Sequence, residues 1–313
     1  MERIPLPVIA GPTASGKTAL AVALARKLNG EVISADSMQV YAGISVGTAR
    51  PTEAEMEGIP HHLLGFQPLD QPYSVARYVE DARRAIRETA ARGRLPILCG
   101  GTGLYISSLV ENRQYASDGG DLALRAALQK RAEEEGGGAL LRELAAADPE
   151  TAARLHPRDV GRIVRALEIY RITGMTMSEH NRRSRREPSP FDAVVIVLDC
   201  RDRQRLYDRI DRRAEVMLDN GLLEEARRVL ATGEAATAVQ AIGYKEFAPY
   251  LAGEISLEEA LEGLKRTTRR YAKRQLTWFR HMDAAWRLYI DDYEDPSALA
   301  AAAEEAVRRF IRL

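Results

Sequence analysis

Residues 11 to 18 read Gly11-Pro12-Thr13-Ala14-Ser15-Gly16-Lys17-Thr18 and fit the pattern G-x-x-x-x-G-K-[ST]. Glycines let the backbone wrap an anion so that successive amide hydrogens point inward. The helix that follows adds the positive end of its dipole. Lys17 would contact a terminal phosphate, and the Thr18 hydroxyl would ligate Mg²⁺. Alone, this P-loop predicts binding of a phosphate or diphosphate group with magnesium, ATP being the first candidate. An ATP-driven motor or switch also needs an acid at the end of a third strand. The apolar run ending at Cys99 continues instead as Gly100-Gly101-Thr102. Asp199 ends the run VVIVLD, but it stands before a helix start near Asp202 and reads as a strand-end cap.

Asp36 carries more interest. It ends the second strand, and a parallel sheet delivers its strand ends to one edge, where α/β proteins bind ligands. Beside a P-loop, this carboxylate can accept a proton from a nucleophile attacking the phosphate-bearing substrate. Without the P-loop it would read as a turn residue.

Two segments are basic in a chain whose formal charge is zero. Between Arg154 and Arg186 stand nine arginines against three acids. Between Lys265 and Met282 there are seven Lys or Arg and no acid, interleaved with Tyr271, Trp278 and Phe279. Arginine suits phosphate contacts and aromatic faces suit stacked bases, so two such runs point to nucleic acid. A single run would read as a solvated helix face. Trp278 and Phe279 fit a core equally well.

An α/β scaffold must position these groups. Short apolar runs alternate with amphipathic stretches, the pattern of a parallel sheet flanked by helices. Strands are predicted over 6–10, 32–35, 95–99 and 193–198, and helices over 18–28 and from a cap at Ser74 to about Gly93. From about Asn112 to Pro190 the strand-like runs vanish and Ala, Arg, Glu and Leu recur at helical spacing. Gly136-Gly137-Gly138 separates two helices there. The expected organisation is a P-loop NTPase-like core, 1–112 with 191–313, interrupted by an all-helical insertion, 113–190. After Asp202 the chain reads as helical nearly to its end, apart from a loop around Gly233 to Gly243.

The composition, 45% hydrophobic and 29% charged, is that of a folded globular chain. No run approaches the roughly 18 apolar residues of a membrane span, and no signal peptide is visible before the P-loop. A cytoplasmic protein without membrane contact is expected. Cys99 and Cys200 each end an apolar run and read as core thiols in a reducing compartment.

Taken together, the motifs resemble those of the tRNA dimethylallyltransferase family. The matching residues are GPTASGKT at 11–18, SADSMQVY at 34–41, GTARP at 47–51, PHHLL at 60–64 and GGTGLY at 100–105. They continue with HPRDVGRIVRALEIY at 156–170, RIDRR at 209–213, AIGYKE at 241–246 and KRQLTWFR at 273–280. The P-loop alone is widespread; GGTGLY, IGYKE and RQLTWFR together are specific.

The resemblance implies transfer of a dimethylallyl group from dimethylallyl diphosphate to N6 of adenosine 37, in tRNAs reading codons that begin with U. It turns the P-loop from ATP to the donor's diphosphate, with Mg²⁺ on Thr18, which explains the missing third-strand acid. It further implies that Asp36 is the base, that Thr102 sits near the reacting centre, and that Arg213 supports diphosphate departure. For tRNA contact it implies Asp36, Ser37, Met38, Gln39, Thr102 and Arg125, then Gly161, Arg162, Ile163, Val164 and Arg165. The stretch Gln240, Ala241, Ile242, Gly243, Tyr244 and Lys245 completes that set. The target base would be flipped into a channel. Gln240 and Lys245 stand where relatives can carry arginine. The chain has too few cysteines for the zinc finger that eukaryotic relatives can add, which suggests a bacterial-type enzyme; a monomer is expected.

Three alternatives stay open on sequence. A small-molecule kinase also uses a P-loop and a second-strand aspartate. A non-catalytic RNA-binding switch would account for the basic runs. A relative acting on free AMP would not need so large a basic surface.

Overall fold

The computed structural model describes residues 3–115, 120–184, 187–233, 241–282 and 285–311. They form two compact units, Met1–Val110 with Ser189–Leu313, and Glu111–Pro188.

The first unit is built on a parallel sheet of six strands: β1 (Ile4–Ala10), β2 (Gly30–Ser34), β3 (His61–His62), β4 (Leu95–Gly100), β5 (Phe191–Asp199) and β6 (Ala285–Tyr289). Their order is β3-β2-β4-β1-β5-β6. Helices α1 (Lys17–Lys27), α2 (Glu53–Met56), α3 (Val75–Ala91) and α4 (Gly103–Val110) belong to its first half. Its second half contributes α10 (Arg203–Asp219), α11 (Leu222–Leu230), α12 (Ala248–Leu251), α13 (Leu257–Arg280) and α14 (Pro296–Phe310). Central strands in such a sheet are covered on both faces and read as continuous apolar runs. Leu6, Val8, Ile9 and Ala10 of β1 are accordingly fully buried.

The α/β class and the four inner strands agree with the sequence reading. The two edge strands do not appear in it. β3 is two residues long, too short for any periodic signal. β6 corrects the expectation of helix nearly to the end: AWRLY pairs in register with β5, from Val195↔Ala285 to Asp199↔Tyr289. Only Leu288 of this edge strand is fully buried, so its pattern is too short and too mixed to announce a strand.

The second unit is helical: α5 (Leu122–Glu135), α6 (Gly137–Ala147), α7 (Pro149–Ala152), α8 (Val160–Thr173) and α9 (Met177–Ser184). Asp121 caps α5 by accepting the Leu124 amide, and Gly136, with φ +81°, turns the chain into α6. Its core gathers Leu128, Leu140, Leu144, Ile163, Val164 and Leu167.

Candidate active site

Strand register decides which residues meet. Ala10 lies beside Gly100 and Val197, and Ser34 beside Cys99. The P-loop, Asp36 and Gly101-Thr102 therefore leave the sheet at one edge, as its parallel topology requires.

In the P-loop, Ala14 and Gly16 have φ of +62° and +89°, the alternation that turns successive amides to one side. Lys17 folds back so that Nζ donates to Pro12 O at 2.6 Å. Arg213, from α10, reaches Thr13 Oγ1 at 3.3 Å and Ala49 O at 3.5 Å. Neither cation makes an ion pair among the described residues. Burial pushes the Lys17 ammonium down to about 8, with the Arg213 charge adding to the fall while Cys99 and Asp36 oppose it. Burial also lowers Arg213, against the pull of Glu55 and Asp36. Enclosing two unpaired cations is costly unless an anion joins them. The Ser15 hydroxyl, buried without a partner among the described residues, is a further polar group left over in the same loop.

Asp36 combines its two sequence readings. Oδ1 accepts the amides of Met38 at 2.9 Å and Gln39 at 3.3 Å, closing the turn. Oδ2 has no hydrogen bond among the described residues. Thr102 Oγ1 accepts the Ser37 amide at 3.0 Å. Thr102 itself lies just outside the cavity wall that Ser37 and Gly101 line. Gln39 Nε2 donates to Thr48 O and Ala49 O, both at 3.2 Å, so the Asp36 turn and Arg213 meet on one segment. Asp199 is turned elsewhere: it accepts the Cys200 amide and Arg203, each at 2.7 Å, while Asp202 caps α10.

These groups surround a cavity of about 360 Å³. Such a volume suits a small ligand. One wall is a stripe on α10, with Ile210, Arg213, Ala214 and Met217 at helical spacing. Another is a stripe on α13, with Leu264, Thr268, Tyr271 and Gln275. Arg269 of α13 pairs with Asp211 of α10 at 2.6 Å and Lys265 with Glu215 at 2.9 Å. Part of the basic run at 265–282 thus serves helix packing; Arg266, Arg270, Lys273 and Arg280 stay exposed. The cavity reaches down to Val32, which pairs with His61. Val32 precedes Asp36 by four residues, roughly 13 Å along a strand.

Sequence reasoning missed Gln275, Tyr271 and His61 as cavity groups. His61 Nδ1 is 2.8 Å from Ile59 O, and its Nε2 is buried without a partner among the described residues. The motifs GGTGLY and RQLTWFR prove to be two halves of one contact. A Cβ on Gly101 would collide with Gln275, and one on Gly103 with the Trp278 ring. Trp278 Nε1 donates to Ser107 Oγ at 3.1 Å, and Tyr105 stacks on Tyr78 at 4.0 Å. Trp278 and Tyr105 therefore pack behind the Gly101–Gly103 turn without lining the cavity.

Among the expected tRNA contacts, Ser37, Met38, Gln39, Ala241, Ile242 and Lys245 line the cavity. Gln240 lies outside the described residues. Tyr244 is fully buried, its hydroxyl donating to Glu225 at 2.8 Å, so its side chain is internal to the fold rather than a contact surface. In the helical unit, Ile163 and Val164 are 0% and 2% exposed and belong to the core, which corrects their assignment as contacts. Gly161, Arg162 and Arg165 on the same helix are exposed. Arg125 and Arg165 both pair with the buried carboxylate of Glu168, at 3.0 and 2.8 Å.

Among the described residues no group of three or more His, Cys, Asp or Glu is placed to hold a metal ion. The donor set at the P-loop is Thr18 with Asp36 across the cavity. That fits a Mg²⁺ ion held chiefly by ligand oxygens and water, and not a protein-only cage.

A family model described as IPP transferase matches residues 39–282. The chain is similar to the tRNA dimethylallyltransferase of Thermoanaerobacter sp. (strain X514), 46% identical over 93% of this chain and 94% of the relative. It is 48% identical to that of Geobacillus kaustophilus, over 96% and 94%. Among solved structures, the full-length tRNA isopentenylpyrophosphate transferase of Bacillus halodurans superposes with a TM-score of 0.72 at 41% identity, covering 97% of each chain. A eukaryotic dimethylallyltransferase described as acting on tRNA superposes with a TM-score of 0.82 at 31% identity, covering 99% of this chain and 81% of that one.

Proposed function

Since the chain belongs to the IPP transferase family and is a transferase that moves a dimethylallyl group to tRNA, we propose the following reaction for its site. The donor is dimethylallyl diphosphate and the acceptor is N6 of adenosine 37 in tRNAs reading codons that begin with U. The observation that carries this reading is the pair of enclosed, unpaired cations, Lys17 and Arg213, beside inward-turned loop amides and one free oxygen of Asp36.

The donor diphosphate occupies the P-loop, Gly11 to Thr18. Loop amides, Lys17 and Arg213 neutralise the charge that develops as the carbon–oxygen bond breaks. Thr18 would help hold a Mg²⁺ ion, which would supply further neutralisation of the diphosphate charge. N6 attacks the allylic carbon, and Asp36 Oδ2 takes the proton that N6 loses. Thr102 holds the Ser37 amide and so sets the wall that faces the adenine. The apolar side chains of Ile210, Met217 and Leu264 offer a dry surface for the five-carbon group. An adenine in a stacked anticodon loop reaches such a site only when flipped out. Ser37 to Gln39, Ala241, Ile242 and Lys245 would meet it in the core unit, and Arg125, Gly161, Arg162 and Arg165 would meet the tRNA from the helical unit. We place the enzyme in the cytoplasm as a monomer; no helix among the described residues is long and apolar enough to cross a membrane.

The test is incubation with dimethylallyl diphosphate, Mg²⁺ and unmodified tRNA, followed by nucleoside mass analysis. Prenylated adenosine is expected from tRNAs reading U-initial codons, and its absence from all of them sinks the proposal. Asp36→Asn keeps an oxygen for the Met38 amide and should lower kcat by about 10²-fold or more while tRNA still binds.

A further inference from the structure

The P-loop and the Gly100-Gly101-Thr102 segment leave adjacent strands, β1 and β4, and form two rims of the cavity. One side chain spans them. Gln275, 6% exposed on α13, accepts the Thr13 amide through Oε1 at 2.9 Å. Its Nε2 donates to Gly101 O at 3.0 Å. Gly101 lacks a Cβ where the carboxamide lies, so the approach is built in on both sides. Thr13 is held a second time through its hydroxyl, by Arg213.

The geometry points to Gln275 as a positioning residue that fixes the separation between the diphosphate loop and the loop facing Asp36. It touches neither reacting atom. A carboxamide is required because one rim offers an N–H and the other a C=O, and both must be met at once. With the bridge intact, the loop amides and Arg213 keep one spacing from Ser37, Thr102 and the Asp36 turn. Reaction in line across the cavity depends on that spacing, since displacement by about 1 Å can cost on the order of 10²-fold in rate. Cutting the bridge frees the P-loop to drift toward geometries that still fold but hold the leaving group out of register. The inference rests on the reading of the P-loop as the holder of the donor diphosphate.

Two variants separate positioning from general support. Gln275→Met keeps the length and removes both hydrogen bonds. It should lower kcat by about 10- to 100-fold and weaken inorganic diphosphate binding to a similar degree, with tRNA affinity within about twofold of wild type. Gln275→Glu keeps the acceptor for Thr13 but, when ionised, turns a negative oxygen to Gly101 O. Its activity relative to wild type should rise as pH falls, because the protonated carboxyl regains a donor. A merely structural residue would lower melting temperature and both affinities together, with no such pH signature. Wild-type kcat and diphosphate affinity in Gln275→Met would overturn the inference. If the wild-type protein makes no prenylated tRNA, the functional reading fails instead, and diphosphate titration of wild type against Gln275→Met still decides the bridge.

Discussion

Asp36, the base in the proposed reaction, also has a structural role. Oδ1 is committed to the turn over Met38 and Gln39, which restrains the carboxylate and leaves Oδ2 without a hydrogen bond among the described residues, on a side chain that lines the cavity. Lys17 yields a prediction at the same scale. Its free-state pKa of about 8 lies below the ordinary lysine value because the ammonium is buried. As pH rises through 8 the free enzyme loses the proton, whereas bound diphosphate holds it on. Donor KM should therefore climb above pH 8, by up to about tenfold per pH unit. Diphosphate binding at pH 8.5 should take up a proton, measurable by calorimetry in buffers of different ionisation heats. Binding with no uptake would show that Lys17 is not the contact. In the free protein the same depressed value favours folding as pH rises between 8 and the unfolded lysine pKa, since the unfolded chain then holds more protons. Lys17, Thr18 and Asp36 were legible because each belongs to a local pattern. Gln275 was not: its partners are far away in sequence, and it stands in a run whose charges suggest RNA.

At the scale of elements, α10 and α13 each give the cavity one face and bind one another through Arg269–Asp211 and Lys265–Glu215. A basic stretch can thus be read correctly as charged and wrongly as wholly solvent-facing. A second device joins α11 to the cavity wall. Glu225, 2% exposed, accepts the amides of Ser45, Val46 and Gly47 at 2.8, 3.0 and 2.7 Å, and the Tyr244 hydroxyl as well. Hydrogen bonding to the three amides and Tyr244 holds its pKa below the usual range despite the cost of burial. This clasp ties the Gly47–Ala49 segment to the loop ending at Lys245. Tyr244→Phe should lower stability by about 2 kcal/mol and raise tRNA KM severalfold, with diphosphate affinity preserved. A denaturant titration matching wild type would remove the clasp from the account. The motif IGYKE was visible in sequence, but only the fold reveals that its tyrosine faces inward.

For the whole molecule, zero net charge conceals an internal division of labour. In the helical unit Glu143 holds Arg131 and Arg171, Glu150 holds Arg154 and Arg182, and Glu179 holds Arg183. Of the nine arginines counted between 154 and 186, Arg185 and Arg186 lie outside the described residues; of the other seven, Arg158 and Arg162 are left without an ion pair among the described residues. They flank the start of α8, whose Asp159 cap makes no side-chain hydrogen bond to the helix and instead accepts the His156 amide. Free amides and two free guanidinium groups suit an RNA phosphate. Arg158→Glu with Arg162→Glu should weaken tRNA binding and reduce the slope of log affinity against log salt by about 1 to 2, leaving diphosphate affinity unchanged. An unaltered slope would move the RNA elsewhere. The sequence located the basic run and the α/β core, while the pairing that neutralises most of that run depends on acids earlier in the unit and could not be read from local composition.

The fit of Gly101 to Gln275 and of Gly103 to Trp278 also constrains how this gene can drift. The first pair is separated by 174 residues, yet a Cβ at 101 would push against the Gln275 carboxamide, so a change at one position acts on the other. In a randomised library the two should behave as a single locus, surviving together as glycine and glutamine or changing together, with the intermediate single mutants lost. Selection on catalysis thereby reaches a helix near the end of the chain through a missing methyl group in its first third.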